Sequence, residues 1–178
     1  IAHVRYAAPD LVAMRGFLED FGLACFEADG RLYGRASDGR PFVHVTEPGA
    51  ARFLALGLRA ASVDDLERLA AHEGVAVSDL ADPGGGKVVR LIAGQAQGET
   101  APLPADPPRN TAAASPRFRA AIRLEPSPSH VRRIGHAVLK VRDFRTSEAW
   151  YKQRFGLLTS DEVEAAKDVP LGAFMRCD

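Results

Sequence analysis

Histidines and carboxylates are the side chains of this sequence that could hold a metal ion. The chain has five histidines, and no other histidine follows His136. A protein metal site needs several imidazole, thiolate or carboxylate ligands brought to one point. The carboxylates late in the chain are Asp161, Glu162, Glu164, Asp168 and Asp178. On residue type alone, His136 is either a first metal ligand or an ordinary strand histidine with one backbone hydrogen bond.

The other histidines fit structural roles better. His44 in "FVHV" is predicted to be a solvent-side or edge residue, and His72 lies near a predicted helix C-terminus, where a cation is mildly favoured. The run "DPGGGK" has the composition of a phosphate loop. It lacks the spacing of one and precedes a strand instead of a helix, so a hairpin turn is predicted.

Charge and cysteine content exclude several classes of function. Lys plus Arg and Asp plus Glu both number 23, so no overall field favours nucleic acid or an anionic membrane. Cys25 and Cys177 are far apart with no spacing pattern, which is typical of a reducing compartment. No apolar run approaches the roughly 18 residues of a membrane span. We therefore expect a cytoplasmic protein.

The first fifty residues predict a βαβββ unit. "IAHVRYA" alternates like a strand, and apolar residues then follow at helical spacing: Leu11, Met14, Phe17, Leu18 and Phe21. Gly22 can end that helix, because glycine adopts positive φ without a Cβ penalty. The strands "LACFEA", "RLYGRA" and "FVHVT" follow, with Asp-Gly hairpin signals at 29–30 and 38–39.

A second unit and a proline-rich segment come next. "RFLALGLRA" is strand-like, Ser62 can cap a helix that Gly74 ends, and "VAV" and "KVVRLIA" flank the "DPGGG" turn. Seven of the twelve prolines fall between residues 98 and 130. Such a stretch is typical of a linker or a surface arm with little regular structure.

The sequence pattern of the first residues recurs later in the chain. "IGHAVLKV" matches "IAHVRYA", so that Ile134 and His136 correspond to Ile1 and His3 at an offset of 133 residues. The next landmark, the glycine after the helix, recurs as Gly156 at an offset of 134 from Gly22. A slip of one residue indicates duplication with a small insertion. We predict domains at 1–97 and 131–178, joined by a linker at 98–130, with the second domain incomplete.

These paired units, together with "GHAVLKVRDFRTSEAWYKQRFGL" and "LGAFMRCD", resemble the vicinal oxygen chelate superfamily. The superfamily includes glyoxalase I, bleomycin-resistance proteins and type I extradiol ring-cleavage dioxygenases. Tandem domains with "GH" opening the second are most similar to the extradiol dioxygenases. The resemblance implies an α+β fold of tandem βαβββ modules that form half-barrel sheets.

The resemblance also implies a site. A non-haem Fe(II) centre uses two imidazoles and one carboxylate and leaves positions for a chelating diol and O₂. His136 corresponds to the first ligand, while Phe174 and Val138 correspond to the substrate-binding surface; Fe(II) is the expected cofactor and Mn(II) the alternative. The remaining ligands and the catalytic residues are expected beyond Asp178, so this chain alone is expected to be inactive.

Three functions remain open from the sequence. The first is an Fe(II)-dependent extradiol dioxygenase of aromatic catabolism, which cleaves a catechol-type ring with O₂ and forms a homo-oligomer. The second is a metal-free binding module of the bleomycin-resistance type. The third is a glyoxalase-like isomerase, which is disfavoured because the first-domain positions are apolar; Ala55, for instance, stands where a partner histidine could be.

Overall fold

The computed structural model describes residues 1–74, 79–81, 88–93, 101–104 and 130–177. Within these residues the elements are β1 (His3–Ala8), α1 (Leu11–Asp20), β2 (Ala24–Ala28), β3 (Arg31–Arg35), β4 (His44–Pro48), β5 (Arg52–Ala60), α2 (Val63–Glu73), β6 (Asp79–Ala81), β7 (Val88–Ala93), α3 (Phe144–Phe155), β8 (Leu158–Ala166) and β9 (Val169–Arg176). None of the helices in these ranges is both long enough and apolar enough to cross a membrane.

The chain groups into two compact units. The α1 unit comprises residues 5–52 and 97–134, and the α3 unit comprises residues 1–4, 53–96 and 135–178. These units are defined by contacts and not by the repeat. The domain bounds of 1–97, 98–130 and 131–178 therefore stay a prediction, and most of the predicted linker lies outside the described residues.

Local sequence signals explain the elements of the α1 unit. The Asp10 side chain accepts hydrogen bonds from the amides of Val12 and Ala13, both at 2.9 Å, and so caps α1. Asp29 and Gly30 both have positive φ, as the tight turn between β2 and β3 requires. Strands β2, β3, β4 and β1 lie side by side in that order.

The core of the α1 unit lies between its helix and its sheet. Its buried members are Leu18, Leu23, Leu32, Ala36 and Val43. Val131 and Ile134, from the far end of the chain, pack against this cluster. The Val131 amide donates to the Gly22 carbonyl at 3.0 Å, and the Val131 carbonyl accepts from the Ser37 amide at 2.9 Å. The start of the predicted second repeat is therefore fixed to the first.

The α3 unit contains the remaining helices. Ser62 caps α2 through the amide of Asp65, and Gly74 ends it in the left-handed conformation. Strand β7 pairs in parallel with β5 and antiparallel with β6. The Asp143 side chain accepts from the Thr146 amide and caps α3, which ends at the left-handed Gly156. The antiparallel hairpin of β8 and β9 follows directly.

The core of the α3 unit is built on Trp150 and Tyr151, which are buried. The apolar side chains packed against them are Leu58, Leu66, Leu69, Leu139, Phe155, Leu157 and Met175. They come from β5, α2, the segment before α3, the end of α3 itself and β9. The face of α3 that carries Trp150 and Tyr151 is therefore covered by side chains from several elements.

The predicted fold class is confirmed: the chain is α+β, and β1, α1, β2, β3 and β4 form the first βαβββ unit. Two details were wrong. Residues 134–141, predicted as a strand, have no strand pairing, because a strand needs a neighbour for its backbone bonds and the described residues provide none. The Asp38-Gly39 pair lies in a longer connection between β3 and β4 and not in a tight hairpin.

Candidate metal and ligand sites

His136 lies in the segment before α3, and its side chain is exposed. Burial in this segment alternates with a period of two residues: Ala137, Leu139 and Val141 are half-buried, whereas His136 and Val138 are exposed. Leu139 packs against the cluster on α3. Because successive side chains of an extended segment point to opposite sides, His136 lies on the side turned away from α3.

The two predicted substrate-binding residues, like His136, have exposed side chains. Val138 is 88% exposed and Phe174 is 62% exposed. On β9 the neighbour of Phe174, Met175, packs against the α3 cluster, so Phe174 lies on the opposite face of the hairpin. His136, Val138 and Phe174 are thus the outward counterparts of residues that pack on α3. The structure leaves all three side chains, one imidazole and two apolar groups, exposed.

The described residues do not complete a metal site. Within 1–74, 79–81, 88–93, 101–104 and 130–177, no group of three or more His, Cys, Asp or Glu side chains is arranged to hold a metal ion. His3 is buried, and a Cβ added to Gly57 would lie 2.4 Å from its Nδ1 atom, so its ring sits against backbone. His136 is the one candidate ligand that the sequence predicted, and a three-ligand set cannot be assembled from the described side chains.

His44 was predicted at a solvent-side or edge position, and that prediction was wrong. Its ring is half-buried and stacks on Tyr6, with ring centroids 5.4 Å apart and planes 7° apart. Its Nε2 atom is 2.7 Å from Oγ1 of Thr46, which is fully buried. Burial lowers the pKa of His44 to about 4, so the imidazole is neutral at pH 7.

A buried carboxylate on α3 was missed by sequence reasoning. The Glu148 side chain accepts hydrogen bonds from Lys152 at 2.6 Å, Thr159 at 2.7 Å and Arg145 at 2.8 Å. Burial raises the pKa of Glu148, but these three donors outweigh it and hold the pKa at about 2. Arg145 also binds both carboxylate oxygens of Glu162 on β8, at 2.7 and 2.9 Å.

This network can orient α3 against its hairpin, but it has no open position for a ligand on Glu148, whose side chain is only 6% exposed. The sequence did carry a signal for part of it, since Glu148 and Lys152 are four residues apart on one helix. Their spacing alone cannot distinguish a solvated surface pair from a buried one.

The fold is shared with several solved structures. The Mn(II)-bound glyoxalase from Novosphingobium aromaticivorans matches all of this chain and 57% of its own, with a TM-score of 0.67 and 21% identity. A variant of homoprotocatechuate 2,3-dioxygenase from Brevibacterium fuscum matches 99% of this chain and 49% of its own, with a TM-score of 0.68 and 16% identity. The 2,2',3-trihydroxybiphenyl 1,2-dioxygenase from Sphingomonas wittichii matches 99% of this chain and 63% of its own, with a TM-score of 0.61 and 19% identity.

The chain therefore has the mixed α+β fold of these solved structures, the vicinal oxygen chelate fold that the sequence predicted. At these identities the likeness extends to the fold alone. The chain spans about half to two-thirds of the length of the proteins it resembles. Neither family models nor curated protein sequences give a match.

Proposed function

We propose that this chain is part of an Fe(II)-dependent extradiol dioxygenase that opens a catechol-type ring with O₂. The observation that supports the proposal is the exposure of the three side chains that the resemblance assigns to the site. His136, Val138 and Phe174 all lie on the side turned away from α3 and are exposed. The fold is one that solved extradiol dioxygenases also have.

Each of these residues has a definite task in the proposal. The His136 imidazole would hold the metal through a ring nitrogen, which is the role imidazole plays in non-haem iron sites. Phe174 offers a ring face against which an aromatic substrate packs. Val138 adds apolar surface that excludes water from that ring. Since the described residues hold one ligand, no step of ring opening is assigned to them.

The rest of the proposal concerns cofactor and assembly. Fe(II) is the proposed metal and Mn(II) the alternative, because both accept histidine and carboxylate ligands. The proposed partners are an aromatic diol and O₂, and the protein is proposed to be a cytoplasmic homo-oligomer with a place in aromatic catabolism.

A metal-free binding module is the second candidate. It is favoured by one observation: no group of three His, Cys, Asp or Glu side chains among the described residues is arranged to hold a metal ion. In that case Val138 and Phe174 would bind an apolar ligand by burial alone. The glyoxalase-like isomerase is the third candidate, since its metal would also need ligands that the described residues do not provide.

Metal content and oxygen uptake test the proposal. The protein is expressed from its complete reading frame, loaded anaerobically with Fe(II), and assayed for iron and for O₂ uptake with catechol. His136→Ala is expected to lose both, because an imidazole removed from a small ligand set leaves too few donors. His72→Ala removes an exposed imidazole from α2 and serves as the matched control.

The outcomes separate the candidates. Full iron content and turnover in His136→Ala would overturn the assignment of His136. Absence of iron binding from the unaltered protein would favour the metal-free module. Loss of iron in both variants would point to a general effect of histidine removal and would also overturn the assignment.

A further inference from the structure

One face of the α1 unit carries three aromatic rings that the proposed function does not use. Phe26 and Tyr33 are paired across β2 and β3, and their rings stack with centroids 5.1 Å apart and planes 12° apart. Phe42 meets the Tyr33 ring edge-on, also at 5.1 Å. Phe26 is 37% exposed. The stack therefore presents an aromatic surface at its outer end.

The charges beside these rings do not balance. The Glu47 carboxylate accepts a hydrogen bond from Arg5 at 2.5 Å, and the same Oε2 atom is 3.4 Å from Nε of Arg31. One carboxylate thus stands between two guanidinium groups, which leaves a net charge of about +1. The Arg5 side chain is mostly buried, whereas that of Arg31 is 41% exposed. The excess positive charge is therefore accessible at Arg31.

Arg31 and the rings lie on the same side of the sheet. Arg31 and Tyr33 are two residues apart on β3, and residues at that spacing share a face. A side-chain hydrogen bond with Tyr33 raises the pKa of Arg31, in keeping with that proximity. Two residues further along, Arg35 donates to the carbonyl of Ala101 at 2.9 Å.

We propose that this face of the α1 unit binds a small planar aromatic carboxylate, with the carboxylate on Arg31 and the ring on Phe26 and Tyr33. The guanidinium is a planar fork of donors that matches a carboxylate in a bidentate arrangement. Aromatic rings prefer to pack on aromatic rings in offset or edge-on geometry. A carboxylate on a flat ring satisfies both features at once, whereas a neutral ring or an aliphatic acid satisfies one.

This site is independent of the proposed metal function. Its residues belong to the α1 unit, whereas His136, Val138 and Phe174 belong to the α3 unit. Binding at Arg31 is consequently expected to persist in His136→Ala. Failure of one proposal leaves the other standing.

Benzoate is the probe, and isothermal calorimetry together with ¹H–¹⁵N NMR of arginine Nε signals is the measurement. Cyclohexanecarboxylate keeps the charge without the flat ring, and benzamide keeps the ring without the charge. Benzoate is expected to bind with a shift of the Arg31 Nε signal and more tightly than either analogue.

Substitutions at Arg31 test the contact directly. Arg31→Gln is expected to weaken benzoate binding about tenfold or more, because a charge-assisted hydrogen bond is lost. Arg31→Lys keeps the charge but loses the fork, so an intermediate loss is expected. Arg52→Gln changes an exposed arginine of the same unit and is the matched control.

Three results would overturn the proposal. They are no benzoate binding at millimolar concentrations, equal binding of benzoate and cyclohexanecarboxylate, and unchanged binding in Arg31→Gln. Unfolding curves of the variants establish that any loss of benzoate binding is local. Tyr33→Leu provides a second test, since it removes an aromatic ring of the proposed site and keeps the Arg31 side chain.

Discussion

The two repeat helices, α1 and α3, begin alike and are buried differently. Asp10 and Asp143 cap them at an offset of 133 residues, and the same offset relates Phe17 to Trp150. Trp150 is 8% exposed, whereas Phe17 is 61% exposed and stacks on Phe21, which is itself exposed. In the α3 unit, leucines of β5 and α2 pack against Trp150 and Tyr151. The two helices share an aspartate N-cap, and the side chains packed against each helix determine which face becomes core.

Each of the two helices carries an ion pair between residues four apart at the equivalent position, with the acidic and basic residues exchanged. Arg15 pairs with Glu19 on α1, and Glu148 pairs with Lys152 on α3, again at an offset of 133 residues. Each central residue also reaches the following hairpin, Arg15 through Glu27 on β2 and Glu148 through Thr159 on β8. The side chain of Arg15 is 32% exposed and that of Glu148 only 6%. The position of the ion pair is the same in both helices, but its burial is not.

The largest expected difference in stability between the two helices comes from truncating the equivalent aromatic side chains. Trp150→Ala is expected to lower the free energy of unfolding by about 3–5 kcal/mol, because a large buried side chain leaves a cavity. Phe17→Ala is expected to change it by no more than about 0.5 kcal/mol, as for an exposed position. Urea unfolding followed by far-UV circular dichroism measures both. A loss for Phe17→Ala as large as that for Trp150→Ala would show that α1 is covered like α3.

Neutralising the equivalent charges comes next in size. Glu148→Gln is expected to cost about 1–3 kcal/mol, because three donors lose a charged acceptor in a buried setting. Arg15→Gln is expected to cost about 0.3–1 kcal/mol, the range of exposed ion pairs. Urea unfolding at two salt concentrations measures the difference, since salt screens exposed pairs more than buried ones. Equal costs for the two variants would contradict the comparison.

Acid should weaken the two units in different pH windows. The His44 pKa is lowered from 6.5 to about 4 by burial, so the unfolded chain binds more protons and stability falls as pH drops through that window. Burial and three donors together take the Glu148 pKa from 4.5 to about 2, so its stabilisation is present above pH 4.5 and is lost below it. Each group gives a slope of at most about 1.4 kcal/mol per pH unit.

Variants assign each window to its residue. His44→Phe is expected to flatten the stability profile between pH 6.5 and 4 and to leave the lower window unchanged. Glu148→Gln is expected to flatten the profile between pH 4.5 and 2. A profile of the unaltered protein that is flat down to pH 4 would contradict the burial of His44.

The smallest expected difference concerns the helix caps. Asp10→Ala and Asp143→Ala are each expected to cost about 1 kcal/mol, because each leaves unsatisfied amides in the first turn. Since both caps are exposed and each accepts two hydrogen bonds from the first turn, the two costs should agree. Amide hydrogen exchange in the first turn of each helix is the measurement, and a clear inequality would show that the caps are not equivalent.

Helix ends and tight turns could be predicted from the sequence because they depend on neighbouring residues. Ser62 and Gly74 located α2, and Gly156 located the end of α3, to within about a residue. The Asp29-Gly30 turn likewise fixed the hairpin of β2 and β3. These signals act within a few positions along the chain, so no knowledge of the fold was needed.

Pairing and burial could not be predicted, since they depend on distant residues. Residues 134–141 alternate like a strand but have no paired neighbour in the described structure. Phe17 has helical spacing with Met14, which packs against the core, yet Phe17 itself is 61% exposed. For the site, residue type selected His136 and left Glu148 unnoticed, because a charged helix residue is normally solvated.

The attachment of Val131 determines where this chain could be recombined with another protein of the same fold. A chimera joined at the predicted repeat boundary would separate Val131 and Ile134 from the α1 unit, together with the two hydrogen bonds to Gly22 and Ser37. A crossover after Ile134 keeps that anchor with its own unit and passes His136 to the incoming half. Exchange of the two halves would then require a splice four residues later than the predicted boundary.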